Sequence, residues 1–124
     1  MILLDANAVL ELLIPGRPRK AAILNWLQLN QEEVCISMLS VHLILHFGFK
    51  ENLTVQDIKK FLANYPKIAL LPEDYSTAMQ FLRDKDHEDA LQLATAERIG
   101  CSSIVTLDQK FADTYKDRIN FITV

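Results

Sequence analysis

The sequence lacks three features that would assign it to common functional classes. It has no excess of basic residues: its formal net charge is −3, so a polyanion would have to be held by a local patch or a metal. No uninterrupted apolar run reaches the length of a membrane span, and no basic segment followed by an apolar one stands at the start, as in a signal peptide. These absences predict a cytoplasmic protein with no membrane partner.

Cysteine is also scarce. Cys35 and Cys101 lie far apart in apolar contexts, without the close neighbours of a zinc site or a redox motif. We expect two free thiols, as in a reducing compartment. The 124 residues are 50% hydrophobic and show no repeat, low-complexity tract or linker. That length and composition predict a single domain, residues 1–124, with a buried core.

The clearest local pattern in the sequence lies in residues 84–100. An acidic turn leads into a predicted helix with Asp86 as its N-cap and with Glu88 and Asp89 in its first turn, where carboxylates are favourable. Alanine and leucine residues follow at helical spacing, and Gly100 is a natural residue to end the helix.

Two predicted strands each end on an aspartate: residues 1–4 on Asp5, and the β-branched residues 103–106 just before Asp108. Ligands of open α/β sheets bind at the carboxyl edge of the strands, so neighbouring parallel strands would bring these aspartates together beneath Asp89. Three carboxylates at one edge repel one another unless a cation holds them, and oxygen ligands suit Mg²⁺ or Mn²⁺. The alternative, that each aspartate only caps a helix or forms a turn, explains each residue alone better than all three together.

Strands and helices alternate along the whole chain. This order predicts βαβ units and therefore a parallel sheet of four or five strands within a three-layer α/β/α sandwich. The other strands are predicted at residues 33–37, 67–71 and 118–124, and the other helices at 6–13, 21–29, 38–49, 54–64, 74–83 and 110–115.

The three acidic segments resemble the signatures of the PIN domain. They are Leu-Leu-Asp5-Ala-Asn-Ala-Val-Leu, Glu88-Asp89-Ala-Leu-Gln-Leu-Ala-Thr-Ala and Ile-Val-Thr106-Leu-Asp108-Gln-Lys-Phe111. The resemblance covers essentially the whole chain, whose length is similar to that of the small bacterial VapC-like toxins of type II toxin–antitoxin pairs. It implies the strand order 3-2-1-4-5.

The resemblance also implies a function, a metal-dependent ribonuclease with an RNA substrate and a cognate antitoxin protein. In this interpretation Asp5, Asp89 and Asp108 are the catalytic residues and hold Mg²⁺ or Mn²⁺, which activates a water to attack the scissile phosphate in line. Asn7 and Thr106 stand beside these acids and are candidates to orient a carboxylate or a water.

The predicted helix at residues 38–49 departs from the family, which usually places a glutamate there. This helix has no acidic residue, and His42 or Leu43 occupies the slot, depending on the register. Glu88 is a candidate to supply the lost carboxylate. His42 and His46 share a helix face and suit either a metal or simple packing. The missing glutamate favours an alternative, a catalytically impaired PIN-fold module that binds RNA or protein.

A receiver domain of the CheY type is a further doubly wound fold with acids at the sheet edge. It requires two adjacent acids after the first strand and a lysine after a late strand. Asp5 has no acidic neighbour and no predicted strand ends on lysine, which argues against this class.

Two surface features have open interpretations. Residues 14–20 carry Arg17, Arg19 and Lys20 and are either a loop that contacts phosphate or a partner, or, more simply, a solvated turn that leads into the next helix.

PIN-type toxins commonly form homodimers, and six apolar residues exceed the obvious needs of a small core, unless all six belong to it. They are Ile23, Trp26, Leu27, Leu45, Phe47 and Phe49.

Overall fold

The computed structural model describes residues 1–83 and 85–124; Asp84, the first residue of the predicted acidic turn, lies outside the described residues. The strands are β1 (Ile2–Leu4), β2 (Val34–Ser37), β3 (Lys67–Ile68), β4 (Ser103–Thr106) and β5 (Asn120–Thr123). The helices are α1 (Ala6–Leu13), α2 (Lys20–Leu29), α3 (Met38–Lys50), α4 (Val55–Leu62), α5 (Pro72–Phe81), α6 (His87–Arg98) and α7 (Gln109–Tyr115).

The strands form one sheet in the order β3-β2-β1-β4-β5, and each neighbouring pair is parallel. This confirms the predicted parallel α/β architecture and strand order. In the centre, Leu3 lies level with Cys35 on β2 and with Ile104 on β4. The ends of β1 and β4 are therefore neighbours, which places Asp5 and Asp108 at the same edge of the sheet.

Side chains of each central strand alternate between two cores, because successive residues of a strand point to opposite faces. Ile2 and Leu4 enter a core formed with α1 to α4, whereas Leu3 packs on the other face with Leu93 of α6 and Phe111 of α7. The strands are thus covered on both faces, which accounts for their continuous apolar sequences.

Side-chain caps begin several of these helices, as the sequence predicts. Asp86 accepts a hydrogen bond from the backbone N–H of Asp89, and Thr54 accepts one from that of Asp57. Gly100 follows α6 with a φ of +75°, a left-handed conformation that suits glycine. These caps are local, and the sequence alone located them.

The predicted boundaries are wrong in three places. Strand β3 spans two residues instead of five, and β5 is also shorter than predicted. Helix α5 begins at Pro72, two residues before the predicted helix at 74–83. Proline is well suited to the first helical position, because the N–H that it lacks would have no partner within the helix.

The six surplus apolar residues divide into two groups. Ile23 is buried, and Trp26, Leu27 and Leu45 are partly buried against the core formed with α1 to α4. Phe47 and Phe49, at the end of α3, are 46% and 48% exposed. Core packing therefore explains four of the six and leaves the two phenylalanines. No helix within the described residues has both the length and the hydropathy to cross a bilayer.

Candidate active site

Asp5 ends β1, caps α1 and is buried. Its Oδ1 accepts hydrogen bonds from the Ala6 N–H at 2.9 Å and from Gln92 Nε2 at 3.2 Å, and its Oδ2 accepts one from the Thr106 hydroxyl at 2.8 Å. Burial raises the pKa of Asp5, these three hydrogen bonds lower it, and the negative charge of Asp108 raises it again. The net shift is upward, so the carboxylate form is destabilised despite its donors.

Asp89 and Asp108 complete a group that we call the acidic cluster: Asp5, Asp89 and Asp108. Burial raises the pKa of Asp89 to about 8, and the charges of Asp86, Asp5 and Asp108 contribute to the rise. Asp108 caps α7 by accepting the Phe111 N–H at 3.1 Å. The three predicted aspartates come from elements that are distant in the chain. The fold places them near enough that the charge of Asp108 raises the pKa of Asp5 and the charges of both raise the pKa of Asp89.

The donor set of the acidic cluster is carboxylate oxygen alone, which suits Mg²⁺ or Mn²⁺ better than a metal that prefers nitrogen or sulfur. Within residues 1–83 and 85–124, no group of three or more His, Cys, Asp or Glu side chains, the acidic cluster included, is arranged so that it could hold a metal ion. Mg²⁺ commonly keeps several waters and uses one or two carboxylates together with substrate phosphates. An open cluster of mutually repelling carboxylates fits that mode of binding.

Sequence reasoning missed a buried polar network that holds Asp5. Gln92 Nε2 donates both to Asp5 and to the Ser40 hydroxyl oxygen at 2.6 Å, and its Oε1 accepts from the Ser37 hydroxyl. All three network residues are buried. One signal was available: Gln92 lies three residues after Asp89, on the same face of α6, and is polar within an apolar stripe.

Helix α3 reaches the acidic cluster through Ser40, whose hydroxyl bonds to Gln92. Leu43 is partly buried and packs against the core formed with α1 to α4. His42 is exposed and its ring stacks on that of His46, with 6.2 Å between the ring centroids. Which of His42 and Leu43 stands where the family keeps glutamate stays a prediction.

The remaining predicted site residues occupy different positions. Asn7 Nδ2 donates to the Thr106 hydroxyl at 3.1 Å, so both residues are joined to Asp5 by hydrogen bonds. Glu88 is exposed in the first turn of α6, whereas Asp86, predicted only as a cap, is one of the three carboxylates whose charge raises the pKa of Asp89. The functional roles of all these residues stay predictions.

The basic segment is both solvated and close to the acidic cluster. Residues 15–20 are exposed, as expected of a turn. However, the Arg19 guanidinium donates to the carbonyl of Leu107, next to Asp108, at 3.3 Å, and the Arg19 N–H donates to Glu11 at 3.2 Å. The segment therefore lies at the same edge of the sheet as the acidic cluster.

The raised pKa of Asp89 predicts an unusual pH dependence of stability for the metal-free protein. A carboxyl whose folded pKa is about 8, against an unfolded value of about 3.9, favours folding while it is protonated. This stabilisation is complete below pH 4 and is lost as the pH rises towards 8. In EDTA, the melting temperature should therefore fall between pH 5 and 8, and Mn²⁺ should reverse the fall.

Two variants separate Asp89 from general charge effects. Asp89→Asn should flatten the pH profile, and Asp57→Asn, on an exposed residue of α4, should leave it unchanged. A wild-type melting temperature that is constant or rising over this range would contradict the prediction.

Comparison with known proteins gives the following similarities. The profile of the PIN domain family matches residues 2–117. No curated protein matches the sequence significantly. Similar solved structures include Rickettsia felis VapBC2 bound to a promoter DNA fragment (15% identity, 100% of this chain and 99% of that chain, TM-score 0.78). A toxin–antitoxin complex from Klebsiella pneumoniae (18%, 99% and 97%, 0.77) and Mycobacterium tuberculosis VapC20, a sarcin–ricin loop cleaving toxin (14%, 91% and 94%, 0.76), are also similar. At these identities the likeness establishes a shared fold.

Proposed function

The chain belongs to the PIN domain family, and from this premise we propose that it is a metal-dependent ribonuclease, the toxin of a type II toxin–antitoxin pair. The observation that carries the proposal is the convergence of Asp5, Asp89 and Asp108: the charge of Asp108 raises the pKa of Asp5, and the charges of Asp5 and Asp108 raise the pKa of Asp89. A divalent cation bound among these carboxylates would relieve their mutual repulsion, so the repulsion favours binding of such a cation. The toxins and toxin–antitoxin complexes among the similar structures support the toxin assignment.

In the proposed mechanism the carboxylates of the acidic cluster would hold Mg²⁺ or Mn²⁺. When bound, the metal supplies Lewis-acid activation of water and charge neutralisation on the scissile phosphate. The chain's own contribution is to orient the ligands: Gln92 and Thr106 donate to different oxygens of Asp5 and so fix its carboxylate plane. Asn7 in turn donates to Thr106, which directs the Thr106 proton towards Asp5.

The proposal includes partners and a location. The partners are an RNA substrate, a cognate antitoxin protein and a second copy of the chain in a homodimer. A cytoplasmic location fits an RNA substrate and the two free thiols, Cys35 and Cys101.

A cleavage assay with purified protein tests the proposed activity. End-labelled RNA should be cut in Mg²⁺ or Mn²⁺ and remain intact in EDTA. Asp89→Asn should reduce cleavage at least about 100-fold, more than is usual for loss of an outer partner of a metal ligand. The exposed control Asp57→Asn should keep wild-type activity, and cleavage that survives EDTA or Asp89→Asn would refute the metal mechanism.

A second candidate function, an RNA- or protein-binding module that does not cleave, is favoured by one observation: helix α3, whose Ser40 is joined to Asp5 through Gln92, contains no acidic residue.

We predict that a carboxylate restored to helix α3 tightens Mn²⁺ binding if the wild-type site lacks one ligand. Leu43→Glu should do so, at some cost in stability because Leu43 packs on the core, whereas exposed His42→Glu should not. Titration calorimetry with Mn²⁺ measures both, and unchanged affinity in both variants would show that α3 does not contribute.

A further inference from the structure

We propose that a cavity beside the acidic cluster is a subsite for one nucleotide of single-stranded RNA, with the base stacked on Phe47 and a phosphate bound by Arg17 and Lys50. The cavity has a volume of about 280 Å³ and lies among α1, the end of α3 and the residue after β4. This inference rests on the proposed ribonuclease function and names where its substrate is held.

Phe47 is suited to stacking because its ring is partly exposed yet held in place. The side chain is 46% exposed. The ring of His46 meets it edge to face, with 4.9 Å between centroids at an interplanar angle of 80°. Lys50 Nζ lies over the ring, 5.7 Å from its centroid, so a base stacks on that face only after the ammonium has moved to the phosphate. Every nucleobase has a flat face that can stack on such a ring, so this contact binds single strands without a strong sequence preference.

The charged side chains that line the cavity suit different parts of a nucleotide. Arg17 and Lys50 are cations able to contact phosphate oxygens. Glu51 also lines it, and a carboxylate repels a phosphate but accepts hydrogen bonds from a base amino group. Glu11 is buried and already accepts the Arg19 N–H. The lining thus combines two cations with two carboxylates, and Arg17 and Lys50 are the groups of the cavity that can attract a phosphate on a chain whose net charge is −3.

The cavity borders residues that adjoin the acidic cluster, although no aspartate of the cluster lines it. Asn7 lines it and donates to Thr106, which donates to Asp5. Leu107 also lines it, immediately before Asp108 in the chain. A nucleotide held in the cavity is thus a neighbour of the nucleotide whose phosphate meets the acidic cluster, and the cavity positions the strand for cleavage.

A pair of phenylalanines allows a matched test. Phe47 lines the cavity and Phe49 is an equally exposed residue two positions later on the same helix. Binding of a fluorescein-labelled, unstructured 12-nucleotide RNA is measured by anisotropy in EDTA, where no cleavage occurs. Phe47→Ala should weaken binding about tenfold, within the range for loss of one stacked base. Phe49→Ala should change it less than twofold, and Phe47→Tyr should retain it.

The cations are tested in the same assay. Arg17→Ala with Lys50→Ala should weaken binding and reduce its dependence on salt, because fewer phosphate contacts release fewer counterions. Equal effects of Phe47→Ala and Phe49→Ala would overturn the subsite, and so would a wild-type protein that binds no RNA at micromolar concentration.

The outcomes for this subsite and for the ribonuclease are distinguishable. If Asp89-dependent cleavage is found but the affinity for RNA is unchanged in Phe47→Ala, the proposed subsite is wrong and the proposed ribonuclease activity is supported. If binding depends on Phe47 but no divalent metal supports cleavage, the subsite stands and the ribonuclease fails.

Discussion

Asp5→Asn should abolish RNA cleavage while leaving the protein folded. Asparagine has the shape of aspartate but lacks the charge that would hold a divalent cation. The expected loss is at least about 100-fold in kcat/KM, beyond the usual effect of an outer partner of a metal ligand. Initial cleavage rates of a labelled RNA at saturating Mg²⁺ or Mn²⁺ measure it.

Stability separates this effect from unfolding. The amide oxygen of an asparagine at position 5 can still accept from Ala6 and Gln92, whereas its NH₂ replaces the oxygen that accepts from Thr106, whose own hydroxyl oxygen already accepts from Asn7 and from the Asp108 N–H. Burial and Asp108 raise the pKa of Asp5, so removing the charge relieves a cost at neutral pH. The metal-free variant should melt no lower than the wild type, and Mn²⁺ should raise its melting temperature less. A variant that keeps wild-type cleavage would exclude Asp5 from the mechanism.

Asp74→Ala should cause the largest loss of stability. Asp74 is 1% exposed and its carboxylate accepts from Arg98 Nε at 2.8 Å, from the Thr95 hydroxyl at 3.1 Å and from the Leu71 N–H at 2.9 Å. Removing one partner of a fully buried ion pair costs about 3–5 kcal/mol, and because the Arg98 side chain is 25% exposed, the loss here should lie at the lower end of that range. Urea unfolding at pH 7 should show a loss of that size in the free energy of unfolding.

The pH profile and an exposed pair provide the controls. Burial raises the pKa of Asp74. Hydrogen bonds from Arg98, Leu71 and Thr95 lower this pKa by more than burial raises it, so the net shift is downward. Its stabilisation is therefore present above the unfolded pKa of about 3.9 and is lost as the pH falls through the lower folded pKa. The difference between wild type and Asp74→Ala should shrink in acid. Asp117→Ala removes an exposed pair with Arg83 and should have a much smaller effect; equal effects of the two variants would contradict this account.

This pair has a consequence for the active site. Asp74 belongs to α5 and Arg98 ends α6, the helix that carries Asp89 and Gln92. Arg98 also donates to the carbonyl of Ala69, so it joins α6 to the segment that follows β3. The pair holds the helix that carries Asp89 and Gln92 in place from its far end, and sequence reasoning, which assigned no role to either residue, missed it.

The sequence predicted the parts of the site that are local. A β-branched run indicates a strand, an aspartate before a helical stripe indicates a cap, and alternation of strands with helices indicates a parallel sheet. These rules located Asp5 and Asp108 at strand ends and Asp89 in the first turn of α6, and the strand order followed from the resemblance that those acids carry.

The boundaries that failed depend on neighbours. The run at residues 67–71 is apolar enough for a strand, but only two of its residues pair with β2, and the chain then enters α5 at Pro72. Strand length at the edge of a sheet is set by the partner strand, which local sequence does not describe.

The sequence by itself thus determined which residues are acidic, which elements carry them and which edge of the sheet they share. Only the tertiary structure decided how Asp5 is held, because Gln92 and Thr106 are 87 and 101 residues away in the chain. It also decided that Arg19 contacts the residue before Asp108, that Phe47 lines a cavity with Asn7 and Leu107, and that Ser40 of α3 is joined to Asp5 through Gln92. Hydrogen bonds and cavities between distant segments depend on side-chain packing in three dimensions, whereas periodicity and caps depend on only a few neighbouring residues.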